Sequence, residues 1–270
     1  MNHVELNGGK IEYQVQGSGD PLLLIHGGIL ADSNAPLCVE PAISNSYCVI
    51  SYHRRGFANS ARVSAPYTIA QQAADGRALL YHLEIPRAHI LGHSYGAAVA
   101  LQWALDSPAE VHSLALLEPP IPSVPSWPMF LEGVEAIRKE MYECGHRVAA
   151  VEAFLTAVVG PEFHQYLDKY LPSGAFDMAV SDLDALFQNE FPSLMGWRFT
   201  ANEAGRIQQP VLAVVGSEST PMFQEGHTIL RQWIAHSEEL IVPEANHGLP
   251  YVNPGALAKG LARFFAAHKL

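Results

Sequence analysis

The chain has 270 residues, 49% hydrophobic and 16% charged, with Lys+Arg 16 against Asp+Glu 27 and a formal net charge of −11. That composition excludes a disordered chain, and the acidic balance repels phosphate backbones and anionic lipid, so neither nucleic acid nor a membrane is an expected partner. The three cysteines, Cys38, Cys48 and Cys144, are odd in number and lack C-x-x-C spacing, which argues for a reducing compartment and against a disulfide scaffold or zinc knuckle.

The opening MNHVELNGGKIEYQ has neither a basic n-region nor an apolar h-region, and no apolar run reaches the ~20 residues of a membrane span. A cytoplasmic protein is the expectation. KIEYQVQG (10–17) alternates with period two and predicts an edge strand or hairpin. PLLLIHGG (21–28) and YCVISYHRRG (47–56) are continuous apolar runs, the pattern of strands buried on both faces. Helical spacing over 67–84 lets Ile69, Ala73, Leu79, Leu80 and Leu83 share a face. AHILG (88–92) predicts a strand that leads directly into the helical SYGAAVALQWALDS. Further strands are expected at SLALLE (113–118), PVLAVVG (210–216) and EELIVPE (238–244), and helices at 222–235 and 253–268. Strands separated by helix-length crossovers imply an α/β fold, a mostly parallel twisted sheet with helices on both faces.

The rhythm breaks between Pro119 and Arg206. This stretch opens with PPIPSVPSWP, contains no run suited to a buried strand, and holds 12 of the chain's 25 aromatics and four of its six methionines. It reads as a helical lid or cap inserted at 119–206 into a core formed by 1–118 and 207–270. Its aromatics either glue it to that core or form an apolar substrate pocket, since ligand sites are mostly apolar and favour such boundaries. Trp127, Met129, Phe130, Met195 and Trp197 lie near its two ends and are the candidate pocket residues.

Gly92-His93-Ser94-Tyr95-Gly96 fits G-x-S-x-G between an apolar strand and a small-residue helix. A serine on a strained strand-to-helix turn leaves no room for side chains two residues to either side. Gly92 and Gly96 satisfy that need, and the helix N-terminus supplies N–H groups beside the hydroxyl. An ordinary N-cap serine would leave both glycines unexplained.

With these residues the chain resembles the α/β-hydrolase superfamily, over nearly its whole length. HGG (26–28) is similar to the family's H-G-x loop, and YHRRGFANS (52–60) to its D-x-R-G-x-G-x-S turn, with His53 where an acid is usual and Asn59 where a glycine is usual. NHG (246–248) resembles the catalytic histidine loop, and the insertion falls where family members carry a cap. The resemblance implies Ser94 as nucleophile, because a serine hydroxyl needs a base to take its proton, and His247 as that base. His26 reads as a loop-structuring residue and His93 as a flanking residue that points away. The backbone N–H of Tyr95 and that of Gly28, with Gly27 as neighbour, would form the oxyanion hole.

Many family members place the third catalytic residue in a G-x-x-D turn after the seventh strand. Here that turn is Gly216-Ser217-Glu218-Ser219, with serine at the aspartate position. Glu118, closing SLALLE, is the preferred acid and Glu218 the alternative. An acid after strand six is similar to the arrangement in zearalenone-lactonase-like enzymes. The expected activity is hydrolysis of a small apolar ester or lactone through an acyl-enzyme. Hydrolysis of a C–C bond in a β-diketone-like substrate, a cofactor-free perhydrolase, and a non-catalytic small-molecule receptor are the alternatives. Dehalogenase and epoxide-hydrolase branches use an aspartate nucleophile, so Ser94 argues against both. No H-E-x-x-H spacing and no dinucleotide fingerprint occurs, GSG at 17–19 being followed by a strand, so neither metal nor cofactor is expected. A homodimer is compatible with the sequence.

Overall fold

The computed structural model describes residues 1–63 and 66–270. Eight strands are formed among the described residues: β1 Asn2–Leu6, β2 Gly9–Gln16, β3 Asp20–Ile25, β4 Tyr47–His53, β5 Ala88–His93, β6 Val111–Leu117, β7 Val211–Gly216 and β8 Glu238–Val242. They make one sheet in the order β1-β2-β4-β3-β5-β6-β7-β8. The β1–β2 and β2–β4 pairs are antiparallel and the rest parallel. Every residue of β5 and β7 is buried, as strands covered on both faces by helices must be.

The period-two segment proves to be one arm of a hairpin whose other arm is β1. Its turn is Asn7-Gly8, with φ of 49° and 76°, the left-handed pair that a tight two-residue hairpin requires. The run at 47–56 leaves the sheet at His53. The helix anticipated over 67–84 occupies Ile69–His82 and is opened by Thr68, whose hydroxyl caps Gln71 N–H while the Gln71 side chain caps Thr68. It packs on the helix Tyr95–Asp106 so closely that a Cβ on Gly76 would sit 2.5 Å from Trp103. Two short helices, Ala35–Val39 and Pro41–Ser44, were not signalled by any long periodic pattern.

The turn at 52–60 differs in detail from the family pattern. Its left-handed residues are Gly56, φ 90°, and Ala58, φ 47°, and not Asn59, whose side chain instead donates to Glu12. His53 is buried between two carboxylates, with Nδ1 2.7 Å from Glu12 and Nε2 3.0 Å from Asp32. Burial pushes its pKa down, but the two carboxylates outweigh burial and hold it above the ordinary value.

Residues 119–206 contain no strand. They hold the helices Trp127–Ile137, Arg147–Val159, Phe163–Tyr170, Ala175–Ser181, Phe191–Gly196 and Ala201–Ala204, and wider π-helical turns at Arg138–Tyr142 and Ala185–Glu190. Pro192 lacks the N–H that a continuous α-helix would direct to Gln188, and the turn before it is one of the widened ones. No helix among the described residues is long and apolar enough to cross a membrane.

Candidate active site

Ser94 sits where β5 becomes the helix Tyr95–Asp106, with φ 53° and ψ −122°. Left-handed backbone costs a non-glycine residue on the order of 1–2 kcal/mol, and the surrounding packing sustains it here. A Cβ on Gly92 would lie 2.4 Å from the Gly96 carbonyl, and one on Gly96 would lie 2.4 Å from the Ile25 carbonyl. Both positions therefore exclude every side chain, and their bareness lets the elbow close against β3.

His247 lies in the loop after β8. Its Nε2 is 2.9 Å from Ser94 Oγ and its Nδ1 is 2.6 Å from Glu118 Oε2. Glu118 ends β6 at φ 47° and is 1% exposed. Its other oxygen, Oε1, accepts from Gly216 N–H at 2.8 Å and from the Ser219 hydroxyl. Glu218 and Glu244 are exposed, and neither side chain meets His247. Ring stacking fixes the plane of His247, since Phe223 lies on it with centroids 3.6 Å apart and an interplanar angle of 5°.

His93 does not point away as expected. It is buried, lines the same cleft, and donates from Nε2 to the His247 carbonyl at 2.8 Å. Burial, and then the His247 ring beside it, push its pKa down to about 3, so it stays neutral with Nδ1 unprotonated. A Cβ on Gly27 would come 3.0 Å from that Nδ1, a contact that the His93 ring would have to yield to. His26 braces the turn that follows β4, its Nε2 accepting from Arg54 N–H at 3.0 Å.

A cleft opens over Ser94. Gly28, Tyr95 and His247 line it together with Ser94. Of the five pocket residues chosen from the sequence, Phe130 alone is in the lining. Trp127 is buried behind Phe130, at 5.6 Å between ring centroids. Met129 and Met195 are 77% and 59% exposed, on the outer side of their helices. Trp197 stacks on Phe199 and donates to Gln102. Proximity in sequence to the ends of the insertion was the wrong criterion, because a helix turns each residue about 100° from the last, so neighbours such as Met129 and Phe130 face different surroundings. The apolar wall comes instead from Phe154, Val158 and Val159, from Leu186 and Leu194, and from Met222 and Phe223 after β7. Burial alone does not separate these from core residues, so the sequence carried no signal for them.

The wall also includes an acidic residue that pairs with Arg54. Glu190, 3% exposed, places Oε1 2.5 Å from Arg54 Nη2. Burial pushes its carboxyl pKa up, against the opposing pull of Arg54. Arg54 also donates to the carbonyls of His26 and Gly27 and to Gln72, which ties the pair to the loop carrying Gly28. The sequence reading passed over Glu190. Among the described residues no group of three or more His, Cys, Asp or Glu is disposed to hold a metal ion.

A serine–imidazole–carboxylate chain at a strained strand-to-helix turn can deprotonate the hydroxyl and stabilise the imidazolium that results. A model of the alpha/beta hydrolase fold matches residues 20–254. The chain belongs to the alpha/beta hydrolase family. A fluoroacetate dehalogenase from Burkholderia sp is 34% identical over 134 residues, 48% of this chain and 42% of that protein. The chain spans less than half the length of the curated relatives it matches. Among solved alpha/beta hydrolase structures, a thermophilic esterase from Thermogutta terrifontis aligns over 100% of both chains with a TM-score of 0.78 at 19% identity. Est816, described as an N-acyl homoserine lactone degrading enzyme, aligns over 98% of this chain and 100% of its own with a TM-score of 0.75 at 22% identity. At such identities the likeness is one of fold.

Proposed function

We propose that the protein is a serine hydrolase that cleaves a carboxylic ester or lactone through an acyl-enzyme. The observation that carries this reading is the hydrogen-bonded chain Ser94 Oγ–His247 Nε2 and His247 Nδ1–Glu118 Oε2, opening on an apolar cleft. In this mechanism His247 takes the Ser94 proton as Oγ attacks the scissile carbonyl. The N–H groups of Gly28 and Tyr95 receive the developing oxyanion. His247 then returns the proton to the leaving alkoxide, and water, deprotonated by the same imidazole, releases the acid. Glu118 holds the tautomer that presents Nε2 to the serine. The helical insertion acts as the lid, since it supplies Phe130, Phe154, Leu186 and Leu194 to the cleft.

The likeness to a dehalogenase does not extend to that chemistry. Displacement of a halide by Ser94 would leave a serine ether, which water and a histidine base do not cleave, whereas a carboxylate nucleophile leaves a hydrolysable ester. Covalent labelling of Ser94 by a fluorophosphonate, together with turnover of p-nitrophenyl esters or simple lactones, tests the assignment. A protein that neither labels at Ser94 nor hydrolyses either class would be a binding protein on a hydrolase scaffold.

A further inference from the structure

Glu190 takes no part in the Ser94–His247–Glu118 chain, yet it stands in the wall of the same cleft. Service as the counter-charge of buried Arg54 accounts for its Oε1. It leaves Oε2 unexplained. That oxygen is buried and has no hydrogen-bond partner among the described residues. It lies 2.7 Å from where a Cβ on Gly28 would be, and Leu186 Cδ1 approaches the same point at 3.3 Å. A carboxylate oxygen held against apolar surface is costly until a donor meets it. Its position is set by a widened helical turn that ends on Glu190, a local geometry frequent at functional sites.

We propose that Glu190 Oε2 accepts a hydrogen bond from a hydroxyl or amide N–H of the substrate, so that the preferred esters or lactones carry a donor roughly within two carbons of the scissile carboxyl group. This rests on the ester or lactone reading above. With the carbonyl oxygen held by Gly28 N–H, the atoms nearest Glu190 are those flanking the carbonyl carbon. A substrate without a donor there would leave Oε2 unpaired. It would also leave that lone pair facing the forming oxyanion with no donor between them. Both effects discriminate, the first in KM and the second in kcat. Ser33, whose buried hydroxyl in the same wall also lacks a partner, is positioned to receive the same polar substituent.

The test compares matched pairs on the wild-type enzyme by pH-stat: ethyl 2-hydroxyhexanoate against its 2-methoxy ether, ethyl 3-hydroxyhexanoate against its 3-methoxy ether, and 2-hydroxyethyl hexanoate against 2-methoxyethyl hexanoate. At least one pair should favour the hydroxyl by roughly 10- to 100-fold in kcat/KM. Glu190→Gln turns an amide N–H₂ toward the cleft and should reduce that preference to less than about threefold, read as the ratio within each matched pair so that any loss common to both members cancels. Parity within all three wild-type pairs overturns the proposal, and so does an equal loss on every substrate in Glu190→Gln. Should that variant not fold, the wild-type pairs decide alone. If no ester is turned over, the affinities of Ser94→Ala for the same pairs, measured by calorimetry, separate the two ideas. A retained hydroxyl preference in binding supports the Glu190 contact and removes only the hydrolytic reading, whereas equal binding overturns the contact.

Discussion

The Ser219 hydroxyl donates to Oε1 of Glu118, joining the turn after β7 to the end of β6. The turn position at which many family members carry an aspartate therefore holds a donor to a carboxylate that comes from the neighbouring strand. Two donors on Oε1, Ser219 and Gly216 N–H, leave Oε2 free for His247 and fix the direction from which it approaches. This is the arrangement expected where a glutamate reaches, by its extra methylene, a site more often served by a shorter acid.

Glu118→Gln should consequently lower kcat by roughly 10²–10⁴ while the fold persists, because an amide facing Nδ1 favours the wrong imidazole tautomer. Ser219→Ala removes one of two supports and should lower kcat by no more than about tenfold. Glu218→Gln should be within a few-fold of wild type, since Glu218 is exposed. Steady-state kinetics on one p-nitrophenyl ester rank all three. A large loss in Glu218→Gln with a mild one in Glu118→Gln would reverse the assignment.

Ser94→Ala should reduce turnover by on the order of 10⁴–10⁶ and leave the circular dichroism spectrum and melting temperature close to wild type. Retention of more than a tenth of wild-type esterase activity would remove Ser94 from the mechanism.

Phe130 and Phe154 line the cleft, whereas Met129 and Met195 face outward. Alanine at either phenylalanine should change KM and the preferred acyl-chain length across a graded series of p-nitrophenyl esters. Alanine at either methionine should change neither, and surface substitutions of this kind usually alter stability by less than about 0.5 kcal/mol. Equal shifts in selectivity at Met129 and Phe130 would mean that the helices of 119–206 sit differently over Ser94.

The elbow was legible because its chemistry leaves a spaced signature: two glycines that any Cβ would drive into backbone, flanking a serine between an apolar strand and a small-residue helix. Parallel strands β3 to β7 were legible because burial on both faces makes them continuously apolar. β1 was not, since an exposed edge strand of five residues has no apolar face to announce it. Glu190 and Phe154 were hidden for a different reason. Residues of the helical insertion become a wall only through tertiary packing, and a buried glutamate looks like a surface one until its arginine is found beside it. His93 was misread because its role is a bond to the backbone of His247, and sequence spacing is silent about such contacts.

Buried histidines should make the protein labile to mild acid. His93 is held neutral down to about 3 by burial and then by His247, and His89 down to about 4 by burial and then by His112. His26 is held well below the ordinary value by burial and then by Arg54. Each of the three would take up a proton near pH 6.5 once unfolded. Between about pH 6.5 and 4.5 the unfolded chain thus binds more protons at these sites, and stability must fall as pH falls. Glu190 works the other way, because its raised pKa lets the folded state take up a proton before the unfolded chain does. Three imidazoles against one carboxyl leave the net slope with the sign set by the histidines. His53, with its raised pKa, is protonated in both states below pH 6.5 and adds no slope there. Its stabilisation is lost only as pH rises through that raised value, so stability should peak near neutrality. Urea denaturation midpoints measured at half-unit intervals from pH 4.5 to 8 would trace this curve. His89→Gln, whose side chain can still bond Ser113, should make the acid limb shallower than in wild type. A midpoint that held constant or rose between pH 6.5 and 4.5 would show that these imidazoles are not kept neutral in the fold.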